Sequence, residues 1–484
     1  MKKRLLFDLS YASAANYLSE AFYVVRGLVL AGVLGPASFG IWTSMRLVMT
    51  LGAYSHLGVH GGMLQRSAYL DGAGDGERAE ACRGVAAAVS LVGSVAFAAV
   101  LVAIVAGSRG PAALWIVLAV VLVARNGYQL HRVALRSRGS HTHASSAGVA
   151  AAALSTVAGL AAALLFGLGG FLVALAGSHV VVLATSVLLG HSFPRPILDR
   201  GRAAELIGIG FPIMLSGLLH VVLWNLDKLL LWILAGSVAL GTYAIQSYVT
   251  AAMMLFPQAL SRVLHPHLVG EIGRERSDAV ARPYLEQGSI LLSLLVCPLV
   301  GLLCLTLHLP LRWWLPEYTA AIDPGRILVL ATFFPIVATV SATVLVSLGR
   351  QRTLLGATLF AVVLTAFCLT WVLLGDGGFV AVALGTALGF VARSALTAIA
   401  AWRASGRPSG APRFVARTLG PYVLLLGLVA AAVGLVPDAA ESWRADLLRT
   451  ALRCAIVVLP TALWAAWSAS GIYRAIRETA AKER

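Results

Sequence analysis

The chain has 484 residues, of which 59% are hydrophobic and only 12% are charged, and its formal net charge is +16. This composition excludes a soluble protein, because no water-facing segment is long enough to build a core of its own. The positive charge would suit a nucleic acid, but its distribution among short loops follows membrane topology, so no nucleic acid is expected as a partner.

Apolar stretches of about twenty residues recur from Leu9 to Ser470, each long enough to cross a hydrocarbon core of about 30 Å as a helix. They lack the alternation of a membrane barrel, so the sequence predicts an all-α polytopic membrane protein with about fourteen transmembrane helices. The predicted spans are residues 9–33, 41–63, 84–106, 112–131, 144–166, 171–190, 206–234, 241–264, 284–308, 325–348, 353–374, 379–402, 418–436 and 449–470.

Arginine-rich loops alternate with arginine-poor loops between these spans. The basic loops include those at Arg66, Arg138, Arg202 and Arg417, and they all fall on one side of the membrane. By the positive-inside rule, both termini are predicted to be cytoplasmic. We expect a multi-pass protein of the bacterial cell membrane whose first span is a retained signal-anchor helix.

A glycine pattern near the first span returns near the seventh. Gly35 and Gly40 are followed 201 residues later by Gly236 and Gly241, which predicts two homologous halves. Six helices separate the copies, so both halves should enter the membrane in the same orientation, related by an axis along the membrane normal, with the transport path between them. The predicted organisation is an N-terminal six-helix lobe at 1–203, a second six-helix lobe at 204–403, and two additional helices with a cytoplasmic tail at 404–484.

These segments resemble a known family. The stretch from Arg26 to Arg66, with LGPASFG and LGVHGGMLQR, is similar to the opening of polysaccharide repeat-unit flippases of the multidrug/oligosaccharidyl-lipid/polysaccharide superfamily. The entry Gly210-Phe211-Pro212, the run 227–231 and the stretch 314–318 are similar to the second half of that pattern. The resemblance implies a two-lobed transporter that moves a polyprenyl-diphosphate-linked oligosaccharide from the inner to the outer leaflet for cell-surface polysaccharide biosynthesis. It carries no set of catalytic residues over to this chain.

Ionisable residues within membrane spans are costly and usually face a wet cavity or a partner. In this chain they are mostly basic, and a cationic cavity suits an anionic diphosphate, whose charge is expensive to remove from water. The predicted substrate-binding residues of this cavity are Arg26, Arg46, Arg125, Lys228 and Arg393. The predicted coupling or gating residues are Glu20, Asp227, His56, His60 and His220.

Less specific interpretations of the same residues stay open. An arginine near a helix end can extend to the headgroups, and the histidines can be hydrogen-bonded packing residues. The 201-residue offset makes Arg26 and Asp227 equivalent positions, which suggests an ion pair between them. The alternative is that Asp227 neutralises its neighbour Lys228.

The sequence bears on the driving force of transport through the motifs that it lacks. No lysine follows a glycine as a P-loop requires, so we expect secondary transport and no cofactor. The driving force is either an ion gradient, with a proton or a sodium ion as the candidate ion, or removal of the product on the far side. The five scattered cysteines predict neither a metal site nor a disulfide.

The alternatives to a lipid-linked oligosaccharide flippase are a peptidoglycan-precursor flippase or a cation-coupled multidrug exporter of the same superfamily. A membrane enzyme such as a polysaccharide polymerase is disfavoured, because the longest outer loop offers only Arg312, Glu317 and Asp323; such a polymerase is instead a candidate partner.

Overall fold

The computed structural model describes residues 2–106, 112–406, 410–436 and 442–482, with side chains except at 2–10, 105–106, 255–256, 259, 262–263, 266 and 469–482. Regular structure in these ranges is helical, which confirms the predicted all-α class. The α-helices are α1 (Lys2–Gly52), α2 (Val59–Gly72), α3 (Gly76–Ala106), α4 (Ala112–Ser137), α5 (His141–Leu188), α6 (Arg200–Ala244), α7 (Ser247–Met253), α8 (Leu255–Glu275), α9 (Ala281–Thr306), α10 (His308–Trp313), α11 (Ile322–Ala331), α12 (Phe333–Ser347), α13 (Gln351–Leu374), α14 (Phe379–Ala404), α15 (Ala411–Leu435) and α16 (Trp443–Lys482). Short 3₁₀ turns occupy Ala53–His56, Asp278–Val280 and Pro316–Ala321.

Three helices are about twice as long as one membrane crossing. Among the described residues, eleven helical segments are long and apolar enough to span a membrane, and three of these contain 46, 48 and 45 residues. Each of the three has one glycine in a non-helical conformation: Gly35 (φ 67°) in α1, Gly167 (φ 64°) in α5 and Gly236 (φ 86°) in α6. Only glycine adopts such angles without steric cost. The kinks divide α1 and α5 into two lengths that can each cross a membrane, whereas only residues 237–244 of α6 follow its kink. The eleven segments confirm a polytopic membrane protein.

The second and eighth predicted spans are not single continuous helices. The prediction of unbroken helices over 41–63 and 241–264 is wrong, because α1 ends at Gly52 and α7 ends at Met253. These two ends are 201 residues apart, the same offset that relates Gly35 to Gly236. Pro257 lies in the first turn of α8, where its missing N–H is tolerated. A hydropathy pattern averaged over about twenty residues does not detect such breaks.

The two copies of the glycine pattern contact each other. A Cβ atom built on Gly40 would lie 1.7 Å from the carbonyl oxygen of Ser237, and one built on Gly241 would lie 2.0 Å from the carbonyl oxygen of Pro36. Pro36 and Ser237 are themselves 201 residues apart, so equivalent residues exchange equivalent contacts. Such reciprocity is the local signature of a two-fold relation, and glycine lets the two backbones approach this closely.

The chain divides into two compact units. The first comprises Met1–Asn225 with Gly236–Gly241, and the second comprises Leu226–Ala235 with Thr242–Arg484. In the first unit, α5 packs against α1 and α4, and α3 packs against α2 and α4. In the second, α14 packs against α11, α12 and α13, while α9 packs against α12, α15 and α16. The repeat boundaries at 203 and 403 stay predictions.

The last two spans form part of the core of the second unit. The Ser293 hydroxyl in α9 donates to the Thr418 carbonyl at 2.7 Å. The buried Asp446 carboxylate in α16 lies 3.1 Å from His308 Nε2 and accepts from Trp313 Nε1 at 2.9 Å. Removal of these partners would leave a buried carboxylate without hydrogen bonds and would destabilise the protein. The last two spans are therefore integral to the second unit.

Candidate functional site

The clearest polar site of the first unit is built around the break that follows α1. After Gly52 the chain forms the 3₁₀ turn Ala53–His56, and Leu57 (φ 50°) and Gly58 (φ 90°) then take left-handed conformations before α2 begins. A Cβ atom built on Gly58 would lie 2.6 Å from the carbonyl carbon of Gly210 in α6. Glycine is therefore required at position 58 both by the backbone angle and by the close approach of α6.

A broken helix inside a membrane leaves carbonyl groups that need new donors. Helix α4 supplies them, because Arg125 Nη1 donates to the Met49 carbonyl at 2.8 Å and Asn126 Nδ2 donates to the Gly52 carbonyl at 3.1 Å. The same Asn126 amide reaches Ser94 Oγ of α3 at 3.0 Å. The break is thus tied to α3 and α4 by side chains of neighbouring spans.

These side chains enclose a cavity of about 200 Å³ within the first unit. Its polar lining residues are His56, His60, Ser90, Ser94, Arg125, Asn126 and Gln129. The rings of His56 and His60 are stacked with their centroids 4.0 Å apart, and His60 Nε2 lies 2.9 Å from Ser90 Oγ. Among the described residues lining this cavity, Arg125 is the only formally charged one, and none is Asp or Glu. Its charge therefore favours anions over cations.

A second cationic position of the first unit lies on α1. Arg26 is half-buried; its Nη1 donates to Ser155 Oγ of α5 at 2.8 Å, and its guanidinium carbon lies 4.8 Å from the Tyr23 ring centroid and 5.8 Å from that of Phe171. Glu20 is also half-buried on the same stretch before the Gly35 kink. Aromatic faces and a hydroxyl orient the guanidinium.

Arg46 is half-buried on the part of α1 that follows the kink. The structure thus divides the predicted residues of the first unit into groups: His56, His60 and Arg125 share one cavity, whereas Arg26 is held by Ser155 and two aromatic rings.

The second unit contains a buried ion pair. Lys228 Nζ lies 2.9 Å from Asp227 Oδ1, and the Tyr243 hydroxyl donates to Asp227 Oδ2 at 3.1 Å. Asp227 is only 1% exposed and Lys228 5% exposed. Both carboxylate oxygens are therefore engaged, which matches the interpretation that Asp227 neutralises Lys228. A pair between Asp227 and Arg26 stays a prediction.

The remaining predicted residues, Arg393 of the second unit and His220 of the first, have other neighbours. Arg393 in α14 is 8% exposed, and its Nε donates to Thr358 Oγ1 of α13 at 3.2 Å. The His220 ring centroid lies 6.0 Å from that of Trp224 on the same helix. Binding and gating roles for these residues stay predictions.

Sequence reasoning missed Asn126, Ser90, Ser94 and Tyr243. A signal for the first three exists: Ser90 and Ser94 are one helical turn apart in α3, and Asn126 follows Arg125 in an apolar span. Their common destination, the break beside Gly58, is visible only in the structure.

Together the described helices define a multi-pass helical membrane protein. The family model described as polysaccharide biosynthesis protein matches residues 29–315, more than half of the chain. The chain belongs to that family. No curated protein matches it in sequence.

Solved structures share the fold at low identity. An inward-facing multidrug resistance MATE transporter of the MOP superfamily superposes with a TM-score of 0.67 at 16% identity, covering 82% of this chain and 95% of that one. The lipid II flippase MurJ in an inward closed conformation superposes with a TM-score of 0.65 at 13% identity, covering 96% of this chain and 99% of that one. A Vibrio cholerae MATE transporter, VcmN, gives a TM-score of 0.59 at 17% identity, covering 83% and 95%. Identities this low establish the fold alone.

Proposed function

We propose that this chain flips a polyprenyl-diphosphate-linked oligosaccharide from the cytoplasmic to the outer leaflet of the bacterial cell membrane by alternating access. The observation that carries the proposal is membership of the polysaccharide biosynthesis protein family over residues 29–315. A lipid-linked repeat unit is the form in which such a polysaccharide precursor would meet a membrane transporter, and a polysaccharide polymerase would receive it outside.

The charges of the first unit support an anionic substrate. Arg26 presents a half-buried guanidinium held by a neutral hydroxyl, and Arg125 faces a cavity whose described lining contains no acidic residue. Guanidinium groups bind phosphate oxygens with two parallel hydrogen bonds. A permanently cationic drug would be repelled in the cavity beside Arg125, which disfavours a cation exporter.

The test is deletion of the gene followed by analysis of lipid-linked sugars in each leaflet. We expect the intermediate to accumulate on the cytoplasmic leaflet, because the enzymes that assemble it continue to work. Unpolymerised units on the outer leaflet would instead indicate a polymerase and would contradict the proposal.

Point variants refine the test. In the deletion strain, Arg26→Lys should restore export, since it keeps a cation, whereas Arg26→Gln should not. Arg78→Gln is the matched control, because the Arg78 side chain is 71% exposed and pairs with Asp75 at the surface. Equal export by all three variants would refute a role for the charge at position 26.

A second candidate substrate is a lipid-linked peptidoglycan precursor. It is favoured by the extent of the match to MurJ, which covers 96% of this chain and so includes the region of its last two spans. Rescue of a strain depleted of its own lipid II flippase would support this candidate, and failure to rescue, with accumulated polysaccharide intermediates, would support the first.

A further inference from the structure

The break after α1 is closed by a hydrogen bond to an imidazole. The backbone N–H of Gly58 donates to His56 Nδ1 at 2.9 Å, across the left-handed residue Leu57. We call this bond the His56 latch. An imidazole nitrogen accepts only through its lone pair, so the latch requires His56 to be neutral with its proton on Nε2.

Titratable and charged side chains surround His56, so a proton added to this ring changes its interactions with them. From α2, His60 stacks on the His56 ring at 4.0 Å, and from α4 the Arg125 guanidinium faces the same cavity. From its own turn, the Tyr54 ring centroid lies 6.2 Å away. Helix α3 presents the hydroxyls of Ser90 and Ser94, and α6 packs against the break through the backbone of Gly210.

Two consequences follow from this arrangement. Stacked imidazoles beside a guanidinium repel a second positive charge, so the pair holds at most one added proton. A sodium ion requires oxygen ligands and is favoured by carboxylates. The described lining of this cavity contains hydroxyl and amide oxygens but no carboxylate. The cavity therefore suits a proton rather than a metal cation.

We propose that His56 and His60 form a proton-binding site, and that protonation of His56 releases the latch and changes the conformation of the break. The added proton occupies the Nδ1 lone pair, so the Gly58 N–H loses its acceptor and the left-handed turn at Leu57 loses its closing bond. Ser90 Oγ, which touches His60 Nε2, offers a hydrogen-bonding partner for the proton on the second ring. As a coupling step this rests on the proposed transport function, whereas the pH response of the break does not.

The test uses a spin label at position 57, introduced by Leu57→Cys with the five native cysteines replaced by alanine. Leu57 is 48% exposed, so a label fits without repacking a core. The full chain is reconstituted in vesicles without any lipid-linked sugar, and label mobility is measured from pH 8 to pH 5, a range that includes the ordinary imidazole pKa of about 6.5. We expect low mobility at high pH and a several-fold increase in the mobile fraction at low pH.

Two substitutions separate the latch from simple packing. His56→Asn supplies a side-chain oxygen that accepts from the N–H two residues later but does not titrate, so mobility should stay low at every pH. His56→Ala removes the acceptor, so mobility should be high at every pH. His143→Asn, on a histidine outside this cavity, should keep the response of the parent protein.

The outcomes are decisive even if the alanine variant fails to fold. A parent protein without a pH response, or a His56→Asn variant that keeps the full response, would overturn the proposal. A response that follows sodium at constant pH would also overturn it. Because no sugar substrate is present, a failure of the flippase function leaves this result unchanged, and a flat pH profile leaves the flippase function standing.

Discussion

The reciprocal contact between the two glycine patterns makes a quantitative prediction for Gly40→Ala. The added Cβ would lie 1.7 Å from the Ser237 carbonyl oxygen, a backbone atom that cannot move aside as a flexible side chain would. Overpacking of this kind costs about 3 kcal/mol at the upper end of the usual range. Alanine recovers about 1 kcal/mol of helix propensity relative to glycine. The expected net loss is about 2 kcal/mol in the free energy of unfolding.

The matched control is Gly127→Ala in α4. An added Cβ at that buried position meets nothing within 4 Å, so only the propensity gain of about 1 kcal/mol remains. Unfolding of the purified protein in mixed micelles, titrated with a denaturing detergent, measures both variants against the parent. The two substitutions should therefore shift the midpoint in opposite directions.

The reciprocity itself can also be tested. Gly241→Ala should cost about as much as Gly40→Ala, since its Cβ would lie 2.0 Å from the Pro36 carbonyl oxygen. The double variant should cost less than the sum, because separating the two segments once relieves both clashes. Strict additivity, or a Gly40→Ala variant as stable as Gly127→Ala, would refute the close contact.

Three further predictions concern the break, the charges and the topology. Asn126→Leu leaves the broken helix end with fewer donors and should destabilise the protein by about 1–3 kcal/mol in the same detergent titration; an unchanged midpoint would refute the capping role. Arg125→Gln combined with Arg393→Gln should lower flipping of a diphosphate lipid in vesicles while the protein still elutes as a single species, because glutamine keeps an N–H donor but not the charge. Selective loss of cationic dye transport would contradict the anionic substrate. Reporter fusions after Arg138 should read cytoplasmic and those at Glu317 external, and an inversion of either would refute the predicted topology.

Much of the candidate site was predictable residue by residue, but its assembly was not. A polar or charged side chain in an apolar span is conspicuous in sequence, which is why His56, His60 and Arg125 could be named. The bond from Asn126 to the Gly52 carbonyl joins residues 74 positions apart, and no local pattern encodes it. The partner of Asp227 could be stated only as two alternatives, because adjacency to Lys228 and the repeat pointed to different cations.

The sequence by itself determined the class of protein and most of the crossings, and it predicted the repeat. Hydrophobic length decides whether a segment spans a bilayer, and glycine at Gly35 and Gly236 permits backbone angles that other residues avoid. Only the tertiary structure decided where the helices after these kinks end. A helix stops inside a membrane where other side chains satisfy its free carbonyls, and the donors after Gly52 come from α4, distant in sequence. The cavity beside the break exists for the same reason, since the side chains that satisfy the broken backbone are also the ones that line it.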